Sequence, residues 1–356
     1  MMELVAGPAL YTATVVFVGL WILLVGHEAG HVVAARMGGI PVRFIQLGSG
    51  PGATFHVGAT PVRLGMMPSS GLVVGDPRHA TLTDWSWFTA GGPVASVVVG
   101  LTFWSVLFVA GPPMPAAWAL LLLGLASFAV AFASTEGKID GVAVQADLNK
   151  VRRMRELRTL PGDALEAAFG PTPPGVASID ALRRAASERD ENAAIGLAAA
   201  HLLQRLGDGF GPEIGDALLR LAEVLPPEAA DAVRNAVVYQ AATECWPDRG
   251  GLLPVAERLR ERHPDSVAFV DTCASLLTSL GRGAEALPLL AASADAVGAF
   301  PEWMPGRTEQ VGVWHSFMAV ALDAAGGPPA EVDRHLAAAE ACGVAPEVSR
   351  SLVTGR

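Results

Sequence analysis

PALYTATVVFVGLWILLVGHEAGHVVAARMGG, residues 8–39, joins an uncharged apolar run to a segment that holds two histidines and a glutamate. The run is long enough to cross the hydrocarbon core of a bilayer, which takes about 20 residues as a helix. Ionisable groups at that depth cost at least ~2.5 kcal/mol for residues such as Asp, and so point to function unless they snorkel to the interface. Residues four apart share one face of a helix, so His27 and His31 can turn both imidazoles toward one metal ion while Glu28 beside them holds a water. This is the HExxH arrangement of zinc hydrolases. Zinc with three protein ligands keeps a fourth position for water and lowers the pKa of that water toward ~7. Glu28 is then placed to take a proton as the water attacks a peptide carbonyl, and to return it to the leaving amine. Gly26 and Gly30 carry no side chain and let another helix or a substrate backbone come close.

The rest of the chain supports a membrane setting for this segment. Of 356 residues 51% are hydrophobic, and the mean hydropathy of +0.39 is high for a soluble protein. Two further segments reach span length, FTAGGPVASVVVGLTFWSVLFVA from about 88 to 110 and PAAWALLLLGLASFAVAFAS from 115 to about 135, with the turn GPPMP between them. The first span, about 8–35, lacks the basic n-region and small-residue cleavage site of a secretory signal and is taken as retained. Arginines 36, 43, 63 and 78 follow the first span, and Lys138, Lys150 and Arg152, 153, 155 and 158 follow the third, while the N-terminal flank and the second turn carry none. The positive-inside rule therefore predicts a multi-pass protein of the cell membrane with its N-terminus outside and its C-terminal part in the cytoplasm. Net charge is -10, which leaves no broad basic surface and excludes nucleic acid as a partner. Cys245, Cys273 and Cys342 are far apart and odd in number, so they suggest neither a disulfide framework nor a cysteine metal site.

A zinc ion needs a third ligand. Asp140, in STEGKIDGVAV, follows the third span on the predicted cytoplasmic side, where the inner ends of spans one and three can meet; Glu136 and Asp147 are rivals. His56 lies in a β-like run and His79 in a polar loop, and both read as ordinary surface or interfacial histidines. The loop 40–84 contains the β-like runs VRFIQLG, ATFHV and TPVRLGMM, separated by the turn signals SGPG and GA. A sheet there would have an edge able to pair with an extended peptide, as a protease of helical substrates requires.

Several of these motifs, in this order, resemble the site-2 protease family of intramembrane zinc metalloproteases. GHEAGH resembles the family's first metal-binding helix, PVRFIQLGSGPGATFHVGATPVRLGMMPSSGLVV its following cytoplasmic-side segment, and AGGPVAS the start of its middle core helix, where many members have asparagine in place of Ser96. KIDG resembles the aspartate-glycine of its third core helix. The resemblance covers roughly residues 15–145 and implies His27, His31 and Asp140 as zinc ligands with Glu28 as catalytic base. FASTEGKID lacks the asparagine and prolines common there in the family, and GPPMP is too short to hold a PDZ-like domain.

Beyond about 150 the composition turns to alanine, leucine, arginine and acidic residues with helical spacing. SVAFVDTCASLLTSLGRGAEALPLLAAS, 266–293, looks like a tetratricopeptide-type helical hairpin. The expected organisation is a mainly α protein: a membrane core over 1–150 with three transmembrane helices and a small β hairpin or sheet after the first, a linker or lead-in helix over 151–178, and an α-helical, solenoid-like soluble domain over 179–356. The expected activity is zinc-dependent hydrolysis of a peptide bond in or near a transmembrane segment of a membrane-protein substrate, that is, regulated intramembrane proteolysis. The C-terminal domain would bind a cytosolic protein partner. The alternative is a catalytically inactive, membrane-anchored adaptor that works through that domain.

Overall fold

The computed structural model describes residues 2–76, 80–112, 114–131, 137–139, 142–144, 147–170, 172–188, 193–207, 209–298 and 307–344. The chain is mainly helical and divides into two compact units, 1–159 and 160–356.

In the first unit, helix α1 runs over Met2–Met37 and stops where the backbone reverses at Gly39. Gly39 has a φ of 64°, and the amides of Ile40 and Gly39 return to the carbonyls of Ala35 (2.8 Å) and Arg36 (3.4 Å). This paired closure satisfies two of the carbonyls that a helix end leaves open, and it needs the left-handed region that glycine enters without a Cβ clash. Ile40 is thereby folded under the helix into a small core with Ala35, Val73, Ala80 and Phe88.

Two strands follow, β1 (Val42–Val57) and β2 (Thr60–Gly75), in antiparallel pairing. The hairpin folds over on itself. Ile45, Gln46 and Leu47 have Cα partners on both sides, Val73, Leu72 and Gly71 on one and Val62, Arg63 and Leu64 on the other, while Val62 to Leu64 also face Phe55 to Ala53. Segments 52–57, 60–65, 42–48 and 71–75 therefore lie side by side in that order. The fold-over occurs at the expected SGPG turn, where Gly48 and Gly50 take φ of 82° and 78°. At the base, the guanidinium of Arg43 donates to Asp76 at 2.6 Å and the Asp76 amide donates to the Pro41 carbonyl at 2.9 Å.

Helix α2 (Leu82–Ala110) opens with a capping box: the Thr81 hydroxyl accepts from the Asp84 amide, and the Asp84 carboxylate accepts from the Thr81 amide, both at 3.2 Å. It ends at Gly111, with φ 52°. Helix α3 (Met114–Ala131) follows, then short antiparallel strands β3 (Gly137–Ile139) and β4 (Val142–Val144) and helix α4 (Asp147–Leu157). Residues 10–37 of α1 and the whole of α2 are long and apolar enough to cross a membrane. The third expected span begins at α3, of which the apolar stretch Ala116–Ala131 lies among the described residues and is by itself shorter than that length; positions 132–136 lie outside them. Large apolar side chains face outward along these helices, among them Phe108, Val109 and Leu122.

The second unit is helical throughout its described residues. Its helices are α5 (Gly162–Phe169), α6 (Val176–Ser187), α7 (Ala193–Leu206), α8 (Pro212–Ala222), α9 (Pro227–Thr243), α10 (Leu253–Arg262), α11 (Val267–Ser279), α12 (Gly283–Gly298), α13 (Arg307–Ala324) and α14 (Pro329–Ala341). The expected hairpin over 266–293 is present as α11 and α12, with a turn at Gly281; a tetratricopeptide array is not established by these helices. Phe317, Leu276, Leu290 and Cys273 form the centre of its core, and the buried Trp314 indole finds a partner in the Ser293 hydroxyl at 3.0 Å.

Candidate active site

Helices α1 and α2 cross where neither has a side chain. A Cβ on Gly30 would fall on the Gly91 carbonyl and the Ala95 Cβ, and a Cβ on Gly91 would fall on Gly30 in return. This small-residue contact lets the two backbones touch, and it brings the HEAGH turn of α1 against the residues of α2 that repeat every four positions, Phe88, Gly92 and Ser96.

Each of those three residues serves the histidines. His31 is buried, and its Nδ1 lies 2.7 Å from the Phe88 carbonyl. A carbonyl can only accept, so Nδ1 carries the proton and Nε2 keeps its lone pair, the tautomer a metal requires. His27 is half-buried, with Nδ1 2.8 Å from the Oγ of Ser96, itself fully buried. The two ring centroids are 5.1 Å apart at an interplanar angle of 78°. Both Nε2 atoms point into the space above Gly92: a Cβ there would lie 2.7 Å from His27 Nε2 and closer still to His31 Nε2. The Phe88 ring flanks the His31 imidazole at 5.4 Å and stacks on Trp85 at 4.9 Å.

Glu28 is buried as well, at 5% exposure. One position from His27 and three from His31 on the same helix, it shares their turn. Over it passes the segment 71–75 of β2: a Cβ on Gly71 would fall on the Glu28 carboxylate. On the sheet, among the described residues, 71–75 pairs with 42–47 on one side and with no strand on the other.

Two convergent imidazole nitrogens, a neighbouring carboxylate and an open Cβ position suit a divalent cation such as zinc. Among the described residues no three His, Cys, Asp or Glu side chains stand together as a metal-holding group, so His27, His31 and Glu28 do not by themselves complete one. Asp140 and Glu136 lie outside the described residues; near them, Ile139 of β3 faces Val142 of β4, so strands rather than the expected helix flank position 140. Asp147 is the first residue of α4. His56 is exposed on β1, and His79 lies outside the described residues.

The Phe88 carbonyl, Gly92 and Gly71 were not among the residues singled out as site residues from the sequence. A backbone acceptor has no sequence signature. The four-residue repeat of Phe88, Gly92 and Ser96 was visible, but it gains meaning only once α2 is known to cross α1 at Gly30.

The model of one family, Peptidase family M50, matches residues 15–322. The chain belongs to peptidase family M50. This is a family of membrane metalloproteases of the site-2 protease type, embedded in the lipid bilayer and acting on membrane proteins. The family match extends well past the membrane core into the second unit, to residue 322 in α13. A comparison with curated proteins found no match.

Proposed function

We propose that the chain is a zinc endopeptidase that hydrolyses a peptide bond in or near a transmembrane segment of another membrane protein. The observation that carries this reading is the convergence of both histidine Nε2 atoms over Gly92, each ring tethered from α2 through its other nitrogen. His27 and His31 would hold zinc together with Asp140, and zinc would supply Lewis-acid activation of a water whose pKa falls toward ~7. Glu28 would act as the general base toward such a water and as the proton donor to the departing amine nitrogen. Its burial beneath β2 keeps bulk water away from the transferring proton.

The free side of segment 71–75 gives the substrate its place. A helical substrate has its carbonyls occupied by its own hydrogen bonds and must be extended before attack. Strand addition along 71–75 would hold it extended through backbone hydrogen bonds, with its scissile carbonyl beside Glu28. The topology follows from the arginine and lysine distribution, with the N-terminus outside and the second unit in the cytoplasm, where it meets a regulatory partner.

The test is Glu28→Gln, expressed beside an epitope-tagged single-span membrane substrate. The expected result is unchanged zinc content with cleavage reduced by about 10²–10⁴-fold, the usual contribution of a positioned base. Metal-dependent cleavage at the parental rate would remove Glu28 from the mechanism. Asp140→Ala should lower zinc stoichiometry; an unchanged value would transfer the third-ligand role to Glu136 or Asp147.

A further inference from the structure

Against the acidic background of the chain, with 35 Asp and Glu to 25 Lys and Arg, one cleft in the second unit is basic. It has a volume of ≈ 280 Å³ and is lined by Asp231 and Arg234 of α9 and by Val255, Arg258, Leu259 and Arg262 of α10. The α10 residues stand at spacings of three, four and seven, one face of a single helix turned toward α9.

Asp231 forms the floor. Its side chain is only 3% exposed and accepts from Arg262 at 2.7 Å, from Arg234 at 3.2 Å and from His263 at 2.9 Å. Burial works against its charge, but the hydrogen bonds from His263 and Arg262 outweigh it and hold the Asp231 carboxyl below the ordinary range. Arg234 also donates through its second terminal nitrogen to the Ala222 carbonyl at 3.2 Å. Arg262 keeps more donors open. It gives one nitrogen to Asp231 and stays 54% exposed, with further donors at the mouth of the cleft. Arg258 is exposed and, among the described residues, enters no ion pair or hydrogen bond. Glu257 is adjacent in sequence and so lies off its face, and Glu261, one turn on, forms no ion pair with it among the described residues.

The cleft thus sets three guanidinium groups against one carboxylate, of which only Arg234 and Arg262 bond to it, and the donors left over belong to Arg258 and Arg262. We infer that this cleft binds a carboxylate carried on an aliphatic group. The planar fork of an arginine matches a carboxylate edge, and charge-assisted pairs of this kind are the stronger hydrogen bonds. Val255 and Leu259 supply the apolar wall for the group that bears it. A dianionic phosphate is the poorer match, because the Asp231 carboxylate at the floor repels the second charge. The volume lies just under the 300–1,000 Å³ typical of cofactor and drug-sized sites, so it suits one acidic side chain with an aliphatic neighbour, or a small carboxylic acid.

Saturation-transfer-difference NMR on the full-length protein in detergent micelles tests this with four probes: acetyl-Leu-Glu-Leu-amide, acetyl-Leu-Gln-Leu-amide, isocaproate and inorganic phosphate. The expected result is saturable binding of the Glu peptide, of isocaproate, or of both, at least tenfold tighter than the Gln peptide and than phosphate, and at least tenfold weaker in Arg258→Glu. Arg258→Ala gives the same loss should the reversed charge disturb the helix, and circular dichroism checks the fold of each. Binding of the peptide alone identifies a protein partner as the source, and binding of isocaproate alone identifies a free acid. Equal binding of the Glu and Gln peptides, a preference for phosphate, binding unchanged by Arg258→Ala, or no binding of either carboxylate at 10 mM would each overturn the inference.

Discussion

The α1–α2 crossing and the α11–α13 core are both built from largely apolar helices, yet they place different groups at their centres. At the crossing the enclosed groups are Glu28, His31, Thr89 and Ser96, while Phe108 and Val109 stand 79% and 88% exposed. In the α11–α13 core Phe317, Leu276 and Leu290 are fully enclosed, and the polar groups beside them are mainly hydroxyls such as Ser275 and Ser316, with Asp271 as a buried carboxyl. The difference follows from the solvent each unit is suited to. In water, burial of apolar area drives assembly at about 25 cal/mol per Å². Between helices in lipid that gain is absent, so close approach of small residues and hydrogen bonds decide the contact. What looks like a weak core in the first unit is the condition that lets ionisable groups such as Glu28 and His31 sit at its centre.

Replacing Gly92 with valine strikes the crossing hardest. The new side chain occupies the position into which both Nε2 atoms point, so zinc should be lost and cleavage should fall by more than about 10³-fold, beyond the effect of removing a single base. Retention of stoichiometric zinc, measured by atomic emission, would mean the histidines do not converge as described. Phe317→Ala addresses the other core, and denaturant unfolding should register a loss of about 3–5 kcal/mol in the second unit. The matching truncation Phe108→Ala, on an outward face, should leave stability in detergent within about 0.5 kcal/mol, and a large loss there would erase the contrast.

Ser96→Ala is a finer probe. It removes the partner of His27 Nδ1 without touching Nε2, and zinc affinity should fall by about 10–100-fold, as for other ligand-orienting groups, with the fold intact. An unchanged dissociation constant would leave Ser96 with a packing role alone. The smallest effect concerns Asp271 on α11. Burial pushes its carboxyl up to about 7, from 3.8 when unfolded, so the folded state holds the proton more tightly. Stability therefore falls as pH rises from about 4 to about 7 and is level above that. Asp271→Asn should raise stability by on the order of 1 kcal/mol at pH 8, because the amide never ionises, and the gain should vanish near pH 4. A gain independent of pH would contradict ionisation as the cause.

Much of this was legible in the residues themselves. An uncharged run meeting HEAGH fixed the place of the ionisable groups, and helix-period patterns with terminal glycines located the helices of the second unit, including the Gly281 turn between α11 and α12. SGPG announced a reversal. That the reversal would fold the hairpin over, and bring Gly71 rather than a charged residue against Glu28, depends on pairing between segments far apart in the chain, which no local pattern encodes. The Phe88 tether was invisible for another reason, since every residue has a carbonyl and only the crossing point selects which one faces His31. The helix expected around Asp140 was carried by resemblance; its Asp-Gly pair also reads locally as a hairpin turn, and strands stand on either side of it.

Because both imidazoles hang from α1 but are steered by anchor points on α2, the register between these helices sets the aim of the metal-binding nitrogens. Sliding α2 by a single turn, about 5.4 Å, would carry the Phe88 carbonyl and the Ser96 hydroxyl past their rings together. A force on the far end of α2, near Gly111, would reach both imidazoles at once without any contact at the rings themselves.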